Sequence, residues 1–501
     1  MGKLNSAVVV GAGIGGLATA CLLAKQGVHV TVVEKNLELG GRVGILEEQG
    51  FRWDVGPSWY LMPEAFDRFF ELTGTSTAEQ LDLVTLDPGY RMFFEQNGSV
   101  DVPHGTDAVA QLFESIEPGA GRKVREYLRS ADSTYQLALR KFLYTNFRNP
   151  KILWDKDVLA NRRLLYTSLR KFVDGQFTDH RLRKVLQFPA MFLSSQPKRI
   201  PALYHLMSHA DLNLGVQYPM GGFQMVVQAL ERLARQHGVT FLLGQEVTKI
   251  LTKDRQVMGV AMIDQNGTPS SCLANVVISN ADMHHIEKKL LAPVEQTYPN
   301  FQHNNPGISA VLVMLGIKTE IPELLHHNLF ISKDWDEDFA AIFPNPTTRG
   351  AASESFYVCR PSATDPTVAP PGSENLFIMV PTPADPIIGH GNAYREQESP
   401  QVQAIARRTI HQLSQTIDRP SLTDDIVMHR TIGPQDFAER YYTWQGGALG
   451  PSHTLAQSAM FRHRNRSAKI AGLYYVGSST VPGVGVPMCL ISAENVVARL
   501  F

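Results

Sequence analysis

Apolar and polar positions along the start of the chain switch between two periods. Residues 7–10 (Ala-Val-Val-Val) are an uninterrupted apolar run, and residues 11–16 read Gly-Ala-Gly-Ile-Gly-Gly. Leu17, Cys21 and Ala24 then share one helical stripe that stops at Gly27, and residues 28–33, mostly valine, end in Glu34. A short apolar run bounded by glycine predicts a buried strand, a period near 3.6 predicts a helix, and glycine past the last turn stops it. The opening is a βαβ unit.

The same reading extends along the chain. Residues 90–95 and 99–102 flank Gln96-Asn97-Gly98, which predicts a hairpin. Residues 105–215 carry a mostly helical pattern. Within them Val158, Leu165, Leu169 and Phe172 fall on one side of a helical wheel, with Arg163, Arg170 and Lys171 opposite and Arg162 at the border. Residues 218–222 (Tyr-Pro-Met-Gly-Gly) read as a loop leading into a helix that ends at 236. Strands are expected at 240–243, 257–263, 276–279 and 473–476, with a turn at Asn266-Gly267. Residues 300–440 mix strands with proline-rich loops, and a helix is expected from about Cys489. There is no internal repeat.

Composition narrows the classes. The 501 residues carry 47 Lys+Arg against 48 Asp+Glu and are 44% hydrophobic, which excludes a disordered chain. Balanced charge argues against nucleic acid as a partner. Cys21, Cys272, Cys359 and Cys489 stand far apart. No disulfide scaffold, zinc ribbon or other metal site is read from them, and the pattern fits a reducing compartment. No signal peptide is read, and no stretch reaches the roughly 18–20 apolar residues of a membrane span. The expected location is cytoplasmic, with any membrane contact peripheral. Residues 1–6 match a myristoylation pattern, but Gly2 lies too near a strand that should be buried. Of three glycosylation triplets, those at Asn97 and Asn266 read as turns, and no secretion signal supports these or the one at Asn465.

The glycines carry chemistry. Gly11, Gly13 and Gly16 fit G-x-G-x-x-G, and Glu34 follows Gly11 by 23 residues. In this order they allow a tight turn, close approach of backbone to a pyrophosphate, close helix–strand packing, and an acceptor for a ribose diol. The helix N-terminus offers N–H groups to phosphate. Gly40-Gly41-Arg42 repeats the theme, with a guanidinium suited to phosphate. Phe51, Asp54 and Gly56-Pro57-Ser58-Trp59 follow. At the other end Gly477-Ser478 closes a strand, and residues 481–488 (VPGVGVPM) lead into the last helix. A dinucleotide that needs contacts from both chain ends points to FAD.

With these residues in view, the chain resembles the bacterial-type carotenoid (phytoene) desaturases almost end to end. The resemblance rests on Gly11–Gly16, Glu34-Lys35, Gly40–Arg42, Asp54-x-Gly56-Pro57-Ser58 and Tyr218-Pro219-x-Gly221-Gly222. It continues through Asn280-Ala281-Asp282, Thr364-Asp365, Ala369-Pro370-x-Gly372, Gln457-Ser458 and Gly477-x-x-Thr480-x-Pro482-Gly483-x-Gly485-x-Pro487. Ser492-Ala493 departs from the usual Ser-Gly.

The resemblance implies an α/β fold. A Rossmann-type FAD-binding domain would be assembled from residues 1–72, 218–290 and 441–501. A mixed-sheet substrate domain would be inserted between them, with 73–217 forming a helical, membrane-facing region and 291–440 the second part. The implied cofactor contacts are Gly11, Ala12, Gly13, Ile14, Gly15, Gly16, Glu34, Lys35, Gly41, Arg42, Pro57, Ser58, Val247, Gly477, Pro487 and Met488. The last helix would point its N-terminus at the isoalloxazine.

The implied reaction is FAD-dependent desaturation of a linear carotenoid precursor, phytoene towards lycopene, with hydride transfer to flavin N5 and loss of a proton. A cis–trans isomerase, a C30 desaturase, an amine oxidase and a non-enzymatic isoprenoid escort are the alternatives. At about 0.8 kcal/mol per buried CH₂, a C40 polyene opposes transfer to water by roughly 30 kcal/mol. Such a substrate must come from a lipid bilayer. Residues 140–186, with twelve Lys/Arg against four acids and interleaved aromatics, are the expected docking surface. A quinone or oxygen would serve as electron acceptor. No catalytic residue is named; Asp54, Asp282, Asp365 and the pair His284-His285 are candidates by type alone, and adjacent histidines on one element should point different ways.

Overall fold

The computed structural model describes residues 4–95, 98–146, 155–301, 304–343 and 350–501. Its organising element is a five-stranded parallel sheet in the order Leu473–Tyr475, Val277–Ser279, Ser6–Val10, His29–Val33, Thr240–Leu242. These valine-rich strands are covered on both faces, which is why they read as apolar runs rather than as alternations. Helices Ile14–Lys25, Gln224–Gln236 and Val486–Leu500 pack on one face through Leu17, Cys21, Leu230 and Leu490. On the other face, Val8, Val10 and Val33 meet Val247, Ile250 and Val260 of a three-stranded antiparallel sheet.

That second sheet consists of Gln245–Lys253, Gln256–Asp264 and Pro269–Leu273. Only its middle strand is legible from pattern. The first strand exposes Thr248, Lys249 and Lys253, and its hairpin turns at Asp254-Arg255, both at positive φ (50° and 60°). A tight turn built without glycine or asparagine leaves no sequence signal. Two further expectations shift. Gln217–Pro219 is a short strand paired with Leu83–Thr85 rather than loop. The last helix begins at Val486, three residues early, because Pro487 suits a first turn. Asn465 is buried and its Nδ2 donates to Tyr475 O and Val481 O, so this side chain is internal structure.

A seven-stranded mixed sheet forms the second half, ordered Ile426–Ile432, Ile308–Ile317, Glu374–Pro383, Phe356–Cys359, His327–Ile331, Tyr90–Phe94, Gly98–Val102. The expected hairpin supplies the last two strands, paired antiparallel; residues 96 and 97 lie outside the described residues. Helix Pro400–Thr416 covers one face. The helical stretch between 106 and 213 covers the other, packing Tyr127, Leu186 and Phe188 near Trp53, Leu312 and Phe377.

The amphipathic helix expected over 158–172 is broken. It is three short helices, Lys156–Ala160, Arg162–Tyr166 and Leu169–Asp174. Thr167 is extended, and the hydroxyl of Ser168 accepts from Lys171 N to start the third helix. Val158 and Leu169 are buried, as their stripe requires. The opposite face is not wholly free, since Arg170 pairs with Asp336 and Asp174; earlier in the basic stretch Lys141 pairs with Asp155 and Asp157. Residues 147–154 of the basic stretch lie outside the described residues.

Candidate cofactor and substrate cavity

Every strand of the parallel sheet ends at the same edge, and the loops there form the floor of one cavity of about 790 Å³. Gly11 leaves its strand at φ +92°, and Gly13 caps the first helix without a side-chain bond to the first turn, whose Ile14 and Gly15 line the cavity. A Cβ on Gly13 would lie 2.6 Å from Asn280 Nδ2, and one on Gly15 2.6 Å from Asn280 Oδ1. One on Gly16 would fall 2.1 Å from Gly11 O, so Gly16 serves helix–strand packing behind the floor. Glu34, buried at the end of its strand, accepts from Ala12 N (2.8 Å) and Asn36 N (2.9 Å), which fixes the carboxylate at the rim.

Of the residues expected to touch cofactor, all but Ala12 and Gly16 line this cavity. Ala12 is fully buried and serves by donating to Glu34. Lys35 Nζ donates to Glu439 O and lies 3.6 Å from the centre of the Tyr442 ring; burial lowers its pKa. Arg42 Nη1 donates to Ala448 O (3.1 Å) and Leu449 O (2.9 Å), and Nη2 to Ser478 Oγ (2.5 Å). Its guanidinium thus ties the glycine-rich loop to the C-terminal loop. Val247, on the strand that pattern missed, lines the cavity beside Gln245 and Glu246.

The candidate acids separate by position. Asp54 Oδ2 and Oδ1 accept from Phe223 N (2.7 Å) and Gln224 N (3.1 Å), holding the start of helix Gln224–Gln236. Burial pushes its carboxyl up to about 6 against the pull of those bonds. Asp365 accepts from Gly221 N and Thr367 N; burial would raise its pKa, but these bonds, Thr367 Oγ1 and the Arg52 charge bring it down. Neither lines the cavity, whereas Asp282 does, with its carboxyl raised by burial. The two histidines point different ways: His284 stacks on Trp444 and His285 on Tyr442. Burial holds His285 neutral, with a pKa of about 4.

Away from the glycines the cavity turns apolar. Trp59 stacks on His327 at 4.7 Å and tilts against Phe188 and Phe192, while Leu312, Phe377, Trp335 and Phe339 carry the wall onward. The Tyr357 hydroxyl bridges Ser58 Oγ and His327 Nδ1, both at 2.7 Å. Behind it His326, His327 and Cys359 each bring one potential ligand atom within 4.8 Å of the others. Burial keeps both rings neutral and pushes the thiol up to about 12, so as they stand they brace the wall as neutral groups. One corner is polar: Asp338 accepts from Glu354 N, Ser355 N and Ser332 Oγ. Val158, Leu165, Tyr166, Leu455 and Phe461 also line the cavity, and Tyr166 and Phe461 are 82% and 63% exposed, which places its mouth between two surface segments.

Two contributors had no local signal. Asn280 fills the space the glycines leave, and its only sequence mark is a motif of unstated role. Residues 455–461 complete the mouth without helical or strand periodicity.

A sequence model of the flavin containing amine oxidoreductase family matches residues 14–501. The chain is 40% identical to the carotenoid 3,4-desaturase of Haloarcula japonica, over 98% of this chain and 97% of that one. It is 35% identical to the zeta-carotene-forming phytoene desaturase of Myxococcus xanthus, over 98% and 93% of the two chains. A 4,4'-diapophytoene desaturase of Staphylococcus aureus is 29% identical, with 98% of each chain covered. Among solved structures, an oxidoreductase from Methanosarcina mazei superposes with a TM-score of 0.62 at 18% identity, covering 98% of this chain and all of that one. Putrescine oxidase does so at 0.60 and 16%, covering 99% and 98%. At such identities these structures speak for the fold alone.

The floor fits the cofactor. The free N–H groups of the first turn and the fixed carboxylate of Glu34 suit a pyrophosphate and a ribose diol, and the glycines at 13 and 15, whose Cβ positions Asn280 closes, leave the backbone of that turn bare of side chains. The chain belongs to the flavin containing amine oxidoreductases, among the carotenoid desaturases, and is an FAD-dependent oxidoreductase.

Proposed function

We propose that this enzyme desaturates a linear carotenoid precursor, phytoene towards lycopene. The observation that carries the reading is the continuity of one cavity, glycine-cradled at one end and walled by aromatic and aliphatic side chains at the other. When bound, FAD supplies the hydride-accepting N5. The chain's own residues do the rest. The first-turn N–H groups, Glu34 and Arg42 hold the dinucleotide; Trp59, Phe188 and Phe377 flank an extended apolar chain and exclude water from it. The other floor residues, Pro57, Ser58, Pro487 and Met488 included, are assigned as its contacts.

The division into 1–72, 218–290 and 441–501 for cofactor and 73–217 and 291–440 for substrate belongs to this proposal. Its support is that the parallel sheet draws all its strands from the first set and the seven-stranded sheet all of its own from the second.

The substrate enters from a bilayer at the mouth. Exposed Leu159, Tyr166, Leu455 and Phe461 surround it, with exposed Lys156, Arg162 and Arg163 beside them. A membrane quinone or oxygen reoxidises the cofactor. No helix among the described residues is long and apolar enough to cross a membrane.

A second reading concerns the end group. Asp338 retains acceptor capacity in an otherwise apolar wall, which favours a carotenoid with a hydroxylated end.

The test is reconstitution with FAD and phytoene-loaded liposomes, followed by chromatography of the pigments. Products of longer conjugation support desaturation of phytoene. Isomers alone would make the enzyme an isomerase; turnover only of C30 or hydroxylated precursors would move the substrate. No conversion of any carotenoid would overturn the reading.

A further inference from the structure

Arg462 is buried at 4% exposure between the C-terminal loop and residues 451–457. Its Nε donates to Thr480 O (3.0 Å), Nη1 to Pro451 O and Gln457 O (3.2 and 3.1 Å), and Nη2 to Pro451 O and Ser478 O (3.2 and 2.7 Å). Every acceptor is a neutral carbonyl. No carboxylate among the described residues lies within ion-pair distance of it, and the residues outside the description include no acid.

The titratable neighbours give no counter-charge either. Burial holds His453 and His463 neutral, raises Tyr204, and pushes the Cys489 thiol up to about 11. Arg462 itself, though lowered by burial to about 10, remains a cation at neutral pH. A second guanidinium converges on the same residue: Arg42 donates to Ser478 Oγ while Arg462 donates to Ser478 O. Arg42 also lacks an ion-pairing carboxylate among the described residues. Ser478 lines the cavity.

Two like charges converge on one buried residue; one carboxylate, Asp282, accepts from Ser479 Oγ and feels the Arg42 charge, but it ion-pairs with neither guanidinium, so the pair is costly alone and favourable once an anion arrives. We infer that Arg462 supplies, from behind the loop Ser478–Thr480, a fixed positive charge that completes its pairing with the negative charge of bound FAD. It rests on the FAD assignment. Arg462 is a positioning residue: it holds two loop carbonyls and acts on the cofactor through its field, which a water-poor interior screens weakly. The anionic group is the pyrophosphate or the electron-rich reduced flavin.

Anaerobic titration of the apoprotein with oxidised FAD, reduced FAD and ADP decides the matter. Arg462→Gln is expected to weaken binding at least tenfold, and Arg462→Lys to stay within threefold of wild type. If the pyrophosphate is the partner, all three ligands weaken together. If the reduced flavin is, only reduced FAD weakens, and the potential falls by about 30 mV for a tenfold change in a two-electron couple. Unchanged affinities in Arg462→Gln, or an equal loss in Arg462→Lys, overturn the inference. Should Arg462→Gln fail to fold, Arg462→Lys decides alone. A buried ammonium discharges as pH rises from about 7 to about 9, below the titration of Arg462 itself at about 10, so its affinity should drop tenfold across that range against a flat wild type; a flat variant overturns it. Wild-type protein that binds neither FAD form would instead sink the FAD assignment.

Discussion

The side-chain amide of Asn280 stands where a Cβ on Gly13 would have to go, 2.6 Å from that position. The two residues are far apart in the chain but adjacent in the sheet, because Asn280 N donates to Val10 O just before the glycine turn. Gly13 has an ordinary extended backbone (φ −70°, ψ 173°), so the exclusion of a side chain there is a matter of space alone.

Gly13→Ala is therefore expected to destabilise the apoprotein by roughly 1–3 kcal/mol through overpacking. Adding Asn280→Ala should return most of that loss. Thermal unfolding without FAD measures both, and a double variant no more stable than the single one would contradict the contact.

Glu34 connects the second strand to the glycine turn and is a proposed contact of the cofactor. Glu34→Ala leaves the fully buried Ala12 N without its acceptor, and FAD affinity is expected to fall at least tenfold by calorimetry. Glu34→Gln retains one acceptor oxygen and should lose less.

Asp54 sets a pH dependence. Burial, the largest influence, raises its carboxyl to about 6 in the folded protein, against about 3.9 in an unfolded chain. The native state thus holds a proton that the unfolded state has released between about pH 4 and pH 6, and stability falls as pH rises through that window. Asp54→Asn removes the contribution. Wild-type stability relative to the variant should decline by roughly 3 kcal/mol from pH 4 to pH 7, read from urea unfolding. A difference that stays level across the window would show that the carboxyl does not titrate there.

Tyr357 holds both Ser58 and His327. Tyr357→Phe leaves the buried His327 Nδ1 and the half-buried Ser58 Oγ without this partner at the cavity wall, at a cost of about 1–3 kcal/mol. FAD affinity should hold within threefold, since Ser58, the assigned cofactor contact that Tyr357 bonds, keeps its own side chain. Loss of FAD with unchanged stability would reverse that assignment.

Tyr166 and Phe461 come from segments almost three hundred residues apart, and both line the cavity while staying exposed. Tyr166→Asp with Phe461→Asp is expected to cut flotation with anionic vesicles at least fivefold while FAD content is unchanged. Undiminished flotation would place membrane contact elsewhere.

How much of this was legible follows from the range of the forces involved. The strand–glycine–helix–strand–acid order of residues 6–34 was determined by sequence alone, because each of its constraints acts between near neighbours: strand burial, a glycine turn, a helical stripe, an acid at a strand end. The FAD assignment followed from its repetition at Gly40–Arg42 and Gly477. The strand Gln245–Lys253 stayed hidden because its turn uses Asp254-Arg255 and its outer face is polar. A helical wheel could place Arg163 and Arg170 on one face, but not foresee that Thr167 breaks the helix or that Asp336 claims Arg170. Only the tertiary structure decided where Asn280, Arg462 and Phe461 stand. Each acts on residues brought near by sheet pairing or loop packing, and no local period in the chain records such a meeting.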